Sequence, residues 1–166
     1  MSSCNRPSDS EARAQARRGV SVQNLDESTK AMNHTLTIPS DTKKLNQLEP
    51  FLALVFKGHD VTETAYHNAM VVLTEAVNNA INHGNKRDPA KQVSVAAAVV
   101  EGKLLLEVLD EGSGFDASAL PDPLHPDNLL REGGRGVFLI RAFSETVEFE
   151  NTGSGTLTKI CLKTGA

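Results

Sequence analysis

A chain of 166 residues, 39% of them apolar, holds enough material for one domain with a real core and too little for two of ordinary size. Its formal charge of −4 argues against the basic surface that a direct nucleic-acid binder presents to phosphates. No apolar run approaches the ~20 residues of a membrane-spanning helix, and the start M-S-S-C-N-R-P has no apolar signal segment.

Cys4 sits in a polar stretch and Cys161 in a strand-like run. Neither belongs to a disulfide framework or a zinc spacing, so a reducing, cytoplasmic setting is expected. Residues 1–33 are rich in Ser, Arg, Gln, Asp and Glu. Such a segment buries too little surface to offset its ordering entropy, which predicts a mobile tail and a folded domain over 34–166. His34–Ile38 alternates and reads as a short strand ended by Pro39. Ser40 is the expected N-cap of a helix carrying Leu45, Leu48, Leu52, Val55 and Phe56 at helical spacing. Pro50 removes a backbone donor there and predicts a kink. Gly58 predicts the end of that helix. Asp60 and Glu63 have the spacing of a capping box, opening a long helix that runs to Gly84.

The most informative stretch lies within that helix, where Val71–Asn85 reads V-V-L-T-E-A-V-N-N-A-I-N-H-G-N. At ~100° per residue, Glu75, Asn79, Asn82 and His83 share one side, while Leu73, Val77, Ala80 and Ile81 share the other. The apolar stripe faces a core. The polar stripe then offers a carboxylate and an amide one turn apart, close enough to act on a single ligand. A carboxylate accepts a proton, and an amide oxygen is a hard donor suited to Mg²⁺.

Asn85–Lys91 is a polar loop. Val93–Val100 and Lys103–Asp110 read as two strands joined at Glu101-Gly102. Their weak alternation predicts a sheet with helices on one face and partial exposure on the other. D-E-G-S-G-F-D follows from Asp110 to Asp116; glycines there let backbone approach a ligand closely. Ala117–Glu132 holds Pro121, Pro123 and Pro126, the composition of a lid-like loop. Gly133-Gly134-Arg135-Gly136 then opens a helix over V-F-L-I-R-A-F, offering free N–H groups to an anion. Glu145–Asn151 and Thr156–Lys163 read as a closing hairpin around Thr152–Gly155.

Three pieces therefore stand in fixed order: E-x-x-x-N-x-x-x-H on a helix, D-x-G-x-G after a strand, and G-G-R-G opening a helix. The set resembles the nucleotide-binding boxes of the Bergerat-fold ATPases, the superfamily of gyrase, histidine kinases and the mismatch-repair ATPases. Within it the chain looks most like the small anti-sigma-factor serine/threonine kinases. That likeness rests on T-E-A-V-N-N-A-I-N-H-G, on G-S-G-F-D and on G-G-R-G-V-F-L-I, and it extends from about His34 to the C-terminus.

The resemblance implies an α+β fold, a two-layer α/β sandwich whose mixed, mostly antiparallel sheet carries helices on one face. It implies ATP and Mg²⁺ as cofactors. By position, Asn79 matches the Mg²⁺-binding asparagine, Asp110 the acceptor for the adenine amine, and Glu75 the general base. Gly112 and Gly114 match the glycines under adenine and ribose, and Gly134 and Gly136 the lid glycines near the phosphates. Arg135 is a candidate for stabilising γ-phosphate charge. His83 either joins the binding stripe or caps the helix end, where a cation favours the dipole. The implied partners are a sigma factor and an anti-sigma-factor antagonist protein. A homodimer is a further expectation, paired through the helix that Pro50 interrupts. Two other readings remain open: an ATP-gated partner-binding module without kinase turnover, and a histidine-kinase-type catalytic domain acting in trans.

The tail composition gives the first test. Deleting residues 1–30 should leave the melting temperature and ATP affinity nearly unchanged; a large drop in melting temperature would show that the segment packs on the domain.

Overall fold

The computed structural model describes residues 32–114 and 134–165. The expected tail, the Ala117–Glu132 segment and Gly133 lie outside the described residues. Five strands form one sheet: β1 His34–Pro39, β2 Gln92–Val100, β3 Lys103–Leu109, β4 Thr146–Asn151 and β5 Thr156–Lys163. They lie in the order β1-β2-β3-β5-β4. Every pairing is antiparallel, so the mixed pairing expected from the sequence is absent among the described strands. Among the described residues the α-helices are α1 Leu48–Phe56, α2 Glu63–Asn79 and α3 Gly134–Phe143. No helix among the described residues is long and apolar enough to cross a membrane.

Alternation puts one side chain in two against the helices. Val93, Val95 and Ala97 on β2, Leu104, Leu106 and Val108 on β3, and Ile160 and Leu162 on β5 are all buried. They form one core with Leu48, Leu52 and Val55 of α1, Val72, Leu73, Ala76 and Val77 of α2, and Ile140 of α3. Register aligns Ala97 with Leu106 and Leu106 with Ile160, making a continuous apolar row across three strands. On the other face the matching row is Ala96, Glu107, Lys159 and Glu148. That polarity makes the fold two layers. The β2–β3 turn places Glu101 at φ 49° and Gly102 at φ 74°, the two left-handed residues that match the twist of a tight hairpin.

Several local expectations change. Asp41, not Ser40, caps the first helical segment: its side chain accepts from Lys43 N–H at 2.9 Å, and Ser40 is buried. That segment, Thr42–Gln47, is 3₁₀, and α1 begins only at Leu48. Pro50 therefore falls in the first turn of α1, where a missing N–H costs that helix no internal bond. Thr62 rather than Asp60 caps α2, accepting from Ala65 N–H at 3.2 Å. Its own N–H is tied to Thr164 O at 3.0 Å, which fixes where the helix can start. The long helix also stops being α at Asn79 and widens into a π turn over Ala80–Gly84.

At the β4 entrance Glu145 bridges Lys103 at 3.0 Å and Lys163 at 3.5 Å. Hydrogen bonding to Lys103 holds the Glu145 carboxyl below its usual range. Its stabilising contribution is therefore present above the ordinary carboxylate range and fades as pH falls through the lowered value. Being exposed and screened, the pair adds little.

Leu106 sits in the middle of the apolar row and is fully buried. Leu106→Ala should cost about 2–5 kcal/mol in chemical denaturation; a loss below about 1 kcal/mol would show that the two layers collapse onto the gap.

Candidate functional site

The same helix that supplies the core supplies the site. Val72, Leu73, Ala76 and Val77 anchor α2 on the sheet, so Glu75 and Asn79, half-buried one turn apart, are held on its other side. The first turn of α3 lies directly against them. A Cβ on Gly136 would collide with Glu75 Oε2 and would sit 3.4 Å from Asn79 Oδ1 and 3.5 Å from Asn79 Nδ2. A side chain there would push the Glu75 carboxylate aside, so glycine keeps the approach close. The structure thus brings Glu75, Asn79 and Gly136 together. Gly134 is the first residue of α3, and Arg135 beside it is exposed.

A second cluster forms where β3 ends. Asp110 is 6% exposed. Its Oδ1 accepts from Gly112 N–H at 2.9 Å and from Thr156 N–H at 3.0 Å, and its own N–H donates to Thr156 O at 3.1 Å. With Oδ1 saturated on one side, Oδ2 lies toward Gly84, where an added Cβ would collide with it. A Cβ on Gly112 would strike Gly84 O, and one on Gly155 would strike the Asp110 carbonyl. Three segments distant in sequence therefore close on one carboxylate through three glycines. Such a carboxylate can offer an acceptor to an N–H group of a ligand.

Other sequence candidates fall elsewhere. Gly114, at φ 78°, packs toward the Asn151 amide, where a Cβ would collide. Asn82, expected beside Glu75 and Asn79, instead donates to Asn78 Oδ1 at 2.8 Å and accepts from Arg87 Nε at 2.6 Å. Asn78 and Asn82 lie four residues apart, the ordinary neighbour spacing along a helix. His83 lies on that turn and is exposed.

Sequence reading missed Gly84 as a contact surface, and it missed Gly155, Thr156 and Asn85. Gly155 and Thr156 carry a faint signal as a glycine opening a strand. Asn85 carries none, because an asparagine after a helix reads as a turn.

A family model described as Histidine kinase-like ATPase domain matches residues 38–162. The chain is similar to the serine-protein kinase RsbW of Oceanobacillus iheyensis, at 31% identity over 87 residues covering 49% of this chain and 55% of that relative. It is similar to the RsbW serine-protein kinase of Bacillus subtilis at 26% identity over 122 residues, covering 70% of this chain and 76% of the relative. It thus spans about half the length of the first relative and three quarters of the second. Among solved structures, the RsbU and RsbW domains of Rv1364c from Mycobacterium tuberculosis share the fold, with a TM-score of 0.55 and 16% identity over 78% of this chain and 32% of that one.

The glycine packing gives a stability test that needs no ligand. Gly155→Ala drives a methyl into backbone rather than into a flexible side chain, so denaturant unfolding should show a loss of about 1–3 kcal/mol or more. A neutral result would mean that the β5 entrance parts freely from Asp110.

Proposed function

Because the chain belongs to the histidine kinase-like ATPase domain family, we propose that it is an ATP-dependent serine/threonine protein kinase and anti-sigma factor. Its protein substrate is an anti-sigma-factor antagonist in a partner-switching system, and the sigma factor is its other partner. The observation that carries this reading is the packing of Gly136 against Glu75 and Asn79. It sets a glycine-opened helix N-terminus, which favours phosphate oxygens, beside a carboxylate and an amide.

Each group has a role that suits its chemistry. Asp110 accepts the adenine amine through Oδ2, while Gly112 and Gly114 shape the turn under adenine and ribose by packing against Gly84 O and the Asn151 amide. Gly134 and Gly136 lie near the phosphates, with Arg135 beside γ-phosphate charge and His83 at the margin of the stripe. Asn79 fits Mg²⁺ as a neutral hard-oxygen donor. Among the described residues no group of three or more His, Cys, Asp or Glu could hold a metal, so phosphate oxygens would complete the coordination. The bound metal supplies charge neutralisation on the phosphates. Glu75 takes the proton from the serine or threonine hydroxyl as its oxygen bonds the γ-phosphorus and ADP leaves. The resemblance to anti-sigma-factor kinases and the similarity to serine-protein kinases support the choice of a hydroxyl acceptor. They also support a reducing, cytoplasmic setting.

Base and ligand roles separate cleanly. Glu75→Gln should keep ATP affinity within a few-fold by calorimetry while transfer of labelled γ-phosphate to the antagonist falls ~10²–10⁴-fold. Asn79→Ala should instead weaken Mg²⁺-dependent ATP binding. Wild type that binds ATP and the antagonist but never transfers phosphate would leave an ATP-gated binding module. A Glu75→Gln protein active at the wild-type rate would remove Glu75 from the chemistry.

A further inference from the structure

Asn85 follows the π turn and is 0% exposed. Its side-chain amide makes three hydrogen bonds. Nδ2 donates to Ser40 Oγ at 2.7 Å and to Gln92 O at 2.8 Å, and Oδ1 accepts from Glu111 N–H at 2.7 Å. The partners fix the amide's orientation, because a carbonyl can only accept and a backbone N–H can only donate. One side chain therefore ties the end of β1, the start of β2 and the residue after Asp110.

The backbone around it is bent to deliver that amide. Asn85 N–H reaches back to Ala80 O at 2.8 Å and Arg87 N–H to Ile81 O at 2.8 Å. Lys86 and Arg87 follow at φ 54° and 59°, a left-handed pair that side-chain-bearing residues avoid and that persists only where its surroundings over-determine it. A second strap runs parallel, with Gln92 N–H donating to Glu111 Oε2 at 2.6 Å.

Both straps end on Glu111, one bond from Asp110 and one from Gly112, whose N–H holds Asp110 Oδ1. We infer that Asn85 is a positioning residue for base recognition: by holding the Glu111 amide it fixes Asp110 Oδ2 to accept the exocyclic amine of adenine. It touches no ligand itself. It sets the angle at which a carboxylate, with its other oxygen already saturated, meets the base. This rests on the ATP-binding reading of the Asp110 site and adds to it a determinant of purine choice.

The test compares ATP with inosine triphosphate, which carries an oxo group where adenine carries the amine. In wild type ATP should bind the more tightly. Asn85→Ala should shrink that preference about tenfold, the change one well-placed hydrogen bond carries. Glu111→Ala, on an exposed side chain that leaves the core alone, should shrink it less and in the same direction. Ser40→Ala removes only the β1 tie and should lower the melting temperature with the preference intact. A merely structural Asn85 would weaken both nucleotides equally. An unchanged ratio in folded Asn85→Ala overturns the proposal, and if that variant does not fold, an unchanged ratio in Asn85→Ser, whose shorter side chain gives up the bond to the Glu111 N–H, does so.

Amide hydrogen exchange on the ligand-free protein separates this from the nucleotide reading. Exchange at Glu111 and Gly112 should quicken in Asn85→Ala, or in Asn85→Ser if that variant must stand in. Unchanged exchange overturns the positioning role. Wild type that binds neither nucleotide overturns recognition of adenine while the exchange result still decides whether Asn85 holds the turn.

Discussion

The carboxylate of Asp110 is buried where three parts of the chain converge, and a buried carboxylate is tolerable only when donors replace its water. Here the donors are backbone N–H groups, from Gly112 two residues on and from Thr156 across the sheet. Neither donor is in place unless β3 and β5 are in register and the turn after Asp110 is closed. The Asp110–Thr156 pair is reciprocal, with each backbone bonding the other. Sheet closure and site closure are therefore one event.

That constraint explains the glycines. Gly84, Gly112 and Gly155 stand where any Cβ would meet Asp110 or its neighbours, so each marks close approach rather than loose chain. Gly136 plays the same part on the other side of the site, against Glu75 and Asn79. Two clusters, one built on strand ends and one on helix α2, are held at a fixed separation by the shared apolar core. A rigid core under both is what lets so few polar groups act together.

The π turn has a structural purpose in this arrangement. Asn85 N–H bonds Ala80 O, five residues back, across the widened turn, and the Asn85 side chain enters the interior. Single-turn π segments inside helices often occur at functional sites because they re-aim side chains without ending the helix.

Much of this could be read in the chain itself. Strand positions, the β2–β3 turn at Glu101-Gly102, the apolar stripe of α2 and the pairing of Glu75 with Asn79 all come from periodicities of two and 3.6, which are local properties. Caps were less legible, since Thr62 prevails over Asp60 only because Thr164, a hundred residues away, bonds its N–H. What tertiary structure alone decided is the convergence on Asp110. Gly84, Asn85, Gly155 and Thr156 are ordinary turn residues in sequence, and their partners lie on segments that meet only after the sheet forms. Hydrogen bonds between distant backbone groups leave no periodic trace, so the sequence determined the elements and their faces, and folding determined which atoms close the site.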